Sequence, residues 1–152
     1  DGRISEDFKL GSGTWVSVGP LRARFVAACA PLVRDVVIAG INRDELSALV
    51  ILDLDGCRVI NPALPAGDLA AAAHDPKVRQ AFRERLAAFA ATATGSSNRI
   101  ARAMLIDTPL SIDRGEVTDK GSINQRAVLE HRAEWIEALY ASPPPDRVIT
   151  IA

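Results

Sequence analysis

Residues 116–126 of the chain read EVTDKGSINQR and place one lysine, Lys120, directly before a strong helix-start pattern. Ser122 and Gln125 have the spacing of a capping box, in which each side chain bonds a backbone N–H of the first helical turn. This spacing predicts a helix that begins at Ser122. Apolar residues then recur with a period near 3.6 until Pro143 ends the pattern. They are Val128, Trp135, Ile136 and Leu139.

The position of Lys120 has electrostatic consequences. A helix N-terminus carries free N–H groups and the positive end of the helix macrodipole, so it repels a cation unless an anion lies between them. Lys120 therefore indicates a phosphate or carboxylate partner. The alternative is a solvated loop lysine, which is the commoner situation. The pattern by itself leaves both open.

The composition is that of an ordinary globular domain. The chain has 152 residues, of which 48% are hydrophobic and 24% charged, and its net charge is -1. These values predict one folded domain without the basic surface of a nucleic-acid-binding protein. No apolar run approaches the roughly 20 residues of a membrane span. We therefore expect neither a nucleic-acid partner nor a membrane partner.

The cysteines and histidines give no sign of a metal site. Cys29 lies in a helix-like run and Cys57 in a turn-like stretch, while His74 and His131 have no nearby partner ligands. We assign no metal site and expect a reducing, cytoplasmic setting. The chain begins with Asp1 rather than methionine, so we expect it to be part of a longer protein.

The first third of the chain predicts a hairpin, a helix and two strands. Short strands at 7–10 and 14–17 flank a loop with two glycines, and Lys9 faces away from its neighbours because side chains alternate along a strand. A helix follows from Gly19-Pro20. Apolar runs at 32–39 and 46–54 surround a turn and indicate antiparallel strands buried under helices.

The remainder predicts helices and a further strand before the lysine. Residues 55–67 are rich in glycine and proline and predict a loop, and 68–73 a short helix. Asp75-Pro76 begins the clearest amphipathic helix, which ends near Gly95. Residues 100–106 predict a strand and 108–119 the loop that leads to Lys120. The final residues, 146–152, are either a short strand or disordered.

Several of these stretches resemble one known family. Residues 2–17, GRISEDFKLGSGTWVS, are similar to the hinge-and-hairpin motif that opens the C-terminal domain of adenylate-forming enzymes. That superfamily comprises acyl-CoA synthetases, peptide-synthetase adenylation domains and luciferases. Residues 33–51 resemble the domain's central strand pair, and 118–126 lie where the family keeps its adenylation lysine. The two ends are most similar to feruloyl-CoA synthetases.

The resemblance implies a small α+β lid domain over residues 1–152, with an N-terminal β-hairpin and a three-stranded sheet flanked by helices. Its implied partner is a large N-terminal adenylation domain of the same protein, without which this chain should be inactive. In the implied reaction an aromatic carboxylic acid and ATP, with Mg²⁺, form an acyl-adenylate and pyrophosphate. Coenzyme A then displaces AMP to give a thioester, and the lid rotates between the two steps.

The resemblance also implies roles for individual residues. In the first step Lys120 would be the catalytic lysine that reaches the carboxylate and α-phosphate oxygens. Arg3 and Lys9 would contact the nucleotide, and Ser5 would be the hinge. The hinge is more often aspartate or lysine, so Glu6 or Asp7 remain alternatives under a small shift.

For the second step, the hairpin is the implied coenzyme A site. Gly11 and Gly13 would let the backbone approach the pantetheine arm, because glycine has no side chain. Trp15 would wall the tunnel, although a hairpin aromatic packed on the core is equally consistent with the sequence.

Two departures from the family pattern leave further alternatives. Glycine usually precedes the lysine, and a register shifted by two would put Ser122 in place of Lys120. The helix after the hairpin often carries a glutamate near its start, where this chain has Arg22. The alternative functions are a lid for a fatty-acyl or other carboxylate ligase and a non-catalytic interaction module.

Overall fold

The structure, a computed structural model, describes residues 6–151 and begins with the expected hairpin and helix. Strands β1 (Phe8–Lys9) and β2 (Trp15–Val16) pair antiparallel. Helix α1 (Val18–Ala28) follows and buries its apolar face. Asp7 accepts a hydrogen bond from the backbone N–H of Val18 at 3.0 Å, so a side chain from before β1 caps this helix.

A four-stranded mixed sheet forms the centre of the domain. Strand β3 (Val33–Ala39) pairs antiparallel with β4 (Leu46–Leu52), which pairs parallel with β5 (Ile100–Leu105). Strand β6 (Val148–Thr150) is antiparallel to β5 and lies at the edge opposite β3. The α+β class is confirmed, and the C-terminal residues supply a fourth strand to the three that were expected.

Three helices occupy the connection between the parallel strands β4 and β5. They are α2 (Leu54–Ile60), α3 (Leu69–His74) and α4 (Pro76–Ala91), and an aspartate side chain caps each of them. The last two match the sequence expectation. A parallel pair requires such a crossover, which accounts for the length of this segment.

The prediction of a loop over residues 55–67 is wrong in its first half, which forms α2. Asp53 accepts from the N–H of Gly56 at 3.0 Å and starts the helix. Gly56 does not mark a turn there. A Cβ at this position would lie 1.6 Å from the carbonyl oxygen of Pro31. Glycine therefore allows α2 to pack against the segment that joins α1 to β3. Cys57 accordingly lies on the buried side of a helix rather than in a turn.

The sheet has an apolar core on each face because its side chains alternate. Val36 and Ile38 face the larger core, which includes side chains of α1 to α4. Val37 faces a smaller core that contains Val128 and Leu139 from the C-terminal helices. The helices therefore flank the sheet on both sides, as expected.

The predicted helix from Ser122 to Pro143 is instead two short helices, α5 (Gln125–His131) and α6 (Ala133–Leu139), which meet at Arg132. The capping-box prediction is wrong. Asn124 is the N-cap and accepts from the N–H of Ala127 at 3.1 Å, while the Gln125 side chain bonds β3. The apolar stripe does pack on the smaller core.

Candidate functional site

Lys120 lies at the tip of a short hairpin-like loop, residues 117–123, which we call the lysine loop. Val117 and Ile123 form an antiparallel bridge at its base. The N–H of Thr118 donates to the carbonyl of Ser122, and the N–H of Gly121 donates to the carbonyl of Thr118, both at 2.9 Å. Lys120 is exposed. Within residues 6–151 its ammonium has no hydrogen-bond or ion-pair partner.

A buried carboxylate holds the base of this loop. Glu116 is 1% exposed. Arg132 donates to both of its carboxylate oxygens, at 2.9 and 3.1 Å, and the N–H of Ser111 donates at 3.0 Å. Burial acts to raise the pKa of Glu116, but these hydrogen bonds and the charges of Arg132 and His131 outweigh it and lower the pKa. Glu116 is therefore ionised at neutral pH and fixed in place.

The sequence analysis did not single out Glu116 and Arg132 as partners. They lie 16 residues apart, and their pairing depends on how the loop returns to α5. Arg132 also donates to the Thr108 hydroxyl and the Pro109 carbonyl, so one guanidinium ties three parts of the loop region together. In the sequence, the two residues are visible only as an acidic and a basic residue on either side of the lysine loop. Such pairs are too common to indicate an ion pair.

Two open grooves lie beside the lysine loop. The first has a volume of about 860 Å³ and is lined by Arg34, the end of β4, Ile106, residues 108–110 and Gly121. The second has a volume of about 880 Å³ and is lined by residues 6–8, the end of β3, Ser122 and α5. Lys120 lines neither groove, while Ser122, its alternative, lines the second. The geometry therefore leaves the register of the lysine motif open.

The β1–β2 hairpin has the geometry of a glycine-closed loop. The N–H of Leu10 donates to the carbonyl of Thr14 at 2.9 Å, and Gly13 has a φ of +87°, which favours glycine. Gly11 is packed closely, since a Cβ there would lie 3.2 Å from the carbonyl oxygen of Asn42. Gly13 thus serves the turn of the hairpin, and Gly11 its close packing against the turn between β3 and β4, whatever else they do.

Trp15 is not a core residue, because 62% of its surface is exposed. It stands opposite Lys9 in the hairpin, and the Lys9 ammonium lies 5.1 Å from the centre of its ring. The alternation of β1 is as predicted, with Phe8 and Leu10 buried and Lys9 exposed. The hairpin therefore presents an aromatic and a cation on its outer face, an arrangement stabilised by a cation–π contact.

The lysine loop and the hairpin loop meet opposite ends of β3. A Cβ at Gly121 would lie 3.4 Å from the guanidinium of Arg34, at the start of the strand. The N–H of Gly11 donates to the carbonyl of Arg43 at 2.8 Å, just past the end of the strand. Seven extended residues span roughly 20 Å. The structure thus brings Lys9, Gly11, Gly13 and Trp15 together on the hairpin and puts Lys120 on a separate loop. Thr118 and Ser122 of that loop line the second groove together with Phe8 of β1.

The acidic residues offered as alternative hinges are bound within the domain. Glu6 accepts from Arg22 at 2.8 Å, and Arg22 also donates to both carboxylate oxygens of Asp35 on β3. Asp7 caps α1. The arginine that departs from the family pattern therefore joins the start of the chain to the sheet. Arg3 and Ser5, assigned to nucleotide contact and hinge, lie outside the described residues.

The cysteines and His74 take no part in this site. Burial raises the pKa of Cys29 to about 12 and that of Cys57 to about 11, so both thiols are protonated at neutral pH. The Nε2 atom of His74 lies 2.9 Å from Oδ2 of Asp107. Over residues 6–151 there is no cluster of three or more metal-ligating side chains. None of the helices in this range has the length and apolar character to cross a membrane.

Comparisons with known proteins identify relatives of the whole domain. A family model described as "AMP-binding enzyme C-terminal domain" matches residues 10–143. No significant match is found among curated protein sequences. Solved structures with the same fold include adenylation domains of carboxylic acid reductases.

Three of those structures illustrate the likeness. The A-PCP didomain of the reductase from Segniliparus rugosus, in complex with AMP, has 24% identity and a TM-score of 0.64 over 90% of this chain and 17% of that one. The A domain from the same organism, with AMP and a co-purified carboxylic acid, has 24% identity and a TM-score of 0.64 over 93% and 20%. The A domain from Mycobacterium chelonae has 23% identity and a TM-score of 0.59 over 91% and 20%. The chain thus spans at most about a fifth of each.

Proposed function

This chain belongs to the AMP-binding enzyme C-terminal domain family, and from that premise we propose that it is the lid of an ATP-dependent aryl-acid CoA ligase of feruloyl type. The proposed reaction has two steps. A carboxylate oxygen of the acid attacks the α-phosphorus of ATP, which gives an acyl-adenylate and releases pyrophosphate. The sulfur of coenzyme A then attacks the acyl carbon, AMP leaves, and the thiol proton is lost to solvent.

The observation that carries this proposal is that the two candidate sites lie on separate loops. Gly121 of the lysine loop lies beside Arg34 at the start of β3, and Gly11 of the hairpin bonds Arg43 beyond the end of that strand. Rotation of the lid on the partner domain would present each in turn, as a two-step reaction requires.

In the first pose, Lys120 is proposed to bind the carboxylate and α-phosphate oxygens. Negative charge gathers there as the new bond forms, and a fixed cation stabilises it. Two features support the role. The ammonium of Lys120 has no partner among the described residues, and the Glu116–Arg132 pair anchors the loop that carries it. Ser5 is proposed to be the hinge. Arg3 and Lys9 are proposed to contact the nucleotide, Lys9 in the pose that brings the hairpin to the reaction centre.

In the second pose, the hairpin is proposed to guide the pantetheine arm of coenzyme A. Gly11 and Gly13 leave the loop without side chains, and Trp15 offers an exposed apolar wall beside it. The engagement of Lys9 with Trp15 supports placing that lysine near the coenzyme A path as well as near the nucleotide.

The remaining parts of the reaction are proposed to lie on the N-terminal adenylation domain of the same protein. That domain would hold ATP and the aromatic acid, and the isolated chain is expected to be inactive. The described residues offer no ligand cluster for the Mg²⁺ that accompanies ATP. We therefore derive no step through the metal. A cytoplasmic setting, where ATP and coenzyme A are available, fits this activity.

A second candidate is an acid-activating domain that passes the acyl group to a tethered acceptor. The observation in its favour is the fold shared with adenylation domains of carboxylic acid reductases, one of them an A-PCP didomain. The first step would be unchanged. The two candidates differ in whether free coenzyme A accelerates AMP release from the acyl-adenylate, and a fatty acid in place of ferulate tests the other substrate class.

The test is pyrophosphate exchange with ATP and ferulate in the full-length parent protein. Lys120→Ala should reduce exchange by about 100-fold or more, because a charge that stabilises the transition state is lost. The Lys120→Ala variant should still form thioester from supplied feruloyl-adenylate. Lys77→Ala, on the exposed face of α4, is the matched control and should retain full exchange.

A double variant, Lys120→Ala with Ser122→Lys, tests whether a lysine at position 122 reaches the same site. Recovery of the exchange that Lys120→Ala has lost would show that both positions reach the reacting oxygens, and no recovery would restrict the role to position 120. Full exchange in Lys120→Ala alone would remove Lys120 from the mechanism, and a parent without ferulate-dependent exchange would remove the proposed substrate class.

A further inference from the structure

The side chain of Gln125 is a buried polar group with a role that its sequence pattern does not suggest. It is 5% exposed, at the first position of α5. Its Oε1 accepts from the N–H of Ile38 at 3.0 Å, and its Nε2 donates to the carbonyl of Val36 at 2.9 Å. The amide therefore forms the pair of hydrogen bonds that a neighbouring strand would form with β3.

Strand β3 offers these groups because it lies at the edge of the central sheet, with β4 as its neighbour in the sheet. The carbonyl of Val36 and the N–H of Ile38 point to the outer edge of the sheet. Without Gln125 these two buried groups would lose the hydrogen bonds that they form there. Gln125 satisfies both at once, which a shorter or singly bonding side chain would not do. It thereby fixes one point of α5 to the middle of β3.

This point of attachment lies two residues beyond the lysine loop. The loop's other end follows Glu116, and the N–H of Asn124 donates to the carbonyl of Glu116 at 2.9 Å, which closes the base. The Glu116–Arg132 pair orients that base from one side. Gln125 fixes it to the sheet from the other, so its two bonds set how far the lysine loop stands from β3.

We infer that Gln125 is a positioning residue for the adenylation step, acting through the lysine loop and touching no substrate itself. The inference rests on the proposed function, since it needs the lysine loop to act on the acid and ATP. It assigns to the amide a geometric task that concerns one half-reaction.

Two substitutions separate the hydrogen bonds from the volume of the side chain. Gln125→Met keeps a similar size and shape but makes neither bond. Gln125→Glu keeps the acceptor for Ile38 but cannot donate to Val36 when ionised. Asp75→Ala is the stability control, because it removes the cap of α4 on the opposite face of the sheet.

The experiment measures both half-reactions in the full-length parent, with the melting temperature of each variant. Gln125→Met and Gln125→Glu should lower the adenylation rate at saturating ATP and ferulate by about 10- to 100-fold, because small displacements of a catalytic group have effects of that size. Thioester formation from supplied feruloyl-adenylate should change less than about twofold. Asp75→Ala should leave the ratio of the two rates unchanged.

Hydrogen exchange of the Ile38 amide provides a second readout. It should be protected in the parent and exchange faster in Gln125→Met, while it stays protected in Gln125→Glu. Equal loss of both half-reactions, or no loss in either, would overturn the inference, as would a Gln125→Met variant in which Ile38 stays protected. Lys120→Ala and the parent, measured in parallel, distinguish the failures. A parent without ferulate-dependent adenylation overturns the proposed function, a Lys120→Ala variant that keeps adenylation overturns the role of Lys120, and if only the Gln125 variants keep it, the positioning role alone fails.

Discussion

Glu116 and Arg132 form a nearly buried ion pair with 2% and 12% of their side-chain surfaces exposed. Removing one partner of such a pair leaves an uncompensated charge, whereas the intact pair has its hydrogen bonds satisfied. Glu116 receives donors from Arg132 and from the Ser111 backbone, and this is what holds its pKa below the usual value of 4.5 despite burial. The residue is thus both a structural support of the lysine loop and a group whose stabilising effect depends on pH.

At neutral pH, Glu116→Gln should lower the free energy of unfolding by about 3 kcal/mol, because Arg132 is left without its counter-charge. Since the folded-state pKa of Glu116 is depressed, its contribution is complete above about pH 4.5 and is lost as the pH falls through the folded value. The difference between parent chain and variant should therefore shrink between pH 5 and pH 3. Urea unfolding at pH 7, 5, 4 and 3 measures it. The exposed Glu84→Gln is the control, and a pH-independent difference would contradict the ion-pair account.

At the scale of the element, the N-cap of helix α5 is Asn124, directly before its first helical residue, rather than Ser122. Asn124→Ala should destabilise the chain by about 1 kcal/mol, because the cap of the Ala127 N–H is lost. Ser122→Ala should change stability by less than about 0.5 kcal/mol, since its side chain makes no cap. Chemical denaturation of the two variants compares them, and the opposite order would restore the capping box.

The bonds of the Gln125 side chain explain why the sequence pattern predicts the wrong helix start. A capping box is a local pattern, but the Gln125 side chain has partners 87 and 89 residues away, and those bonds take precedence over the local one. The same holds for α2, where Gly56 serves close packing against Pro31. Elements with strong apolar periodicity, such as β3, β4 and α4, were predicted correctly because burial alone specifies them.

Across the whole molecule, the sequence predicts the class of fold and the local geometry of the hairpin. The pairing of β6 with β5 and the attachment of α5 to β3 depend on contacts between distant residues, which periodicity does not encode. The ion pairs Glu116–Arg132, Glu6–Arg22 and Arg22–Asp35 likewise depend on contacts between residues that are distant in the sequence. The candidate residues were found through their resemblance to a family, whereas the residues that hold them in place appear only once the chain is folded.

The placement of Lys120 and Trp15 on separate loops, together with the proposed two poses, predicts that substitutions in each loop affect different half-reactions. Trp15 is 62% exposed, so Trp15→Ala should change the stability of the domain by less than about 0.5 kcal/mol. In the full-length parent it should slow thioester formation from supplied feruloyl-adenylate, or raise the KM for coenzyme A, by about tenfold, because a contact of roughly 1.4 kcal/mol is lost. Pyrophosphate exchange should be unchanged. Val59→Ala, at a similarly exposed apolar residue on α2, is the control and should alter neither step. If Trp15→Ala lowers exchange as much as thioester formation, the hairpin does not act in a separate pose, and the two-pose proposal is contradicted.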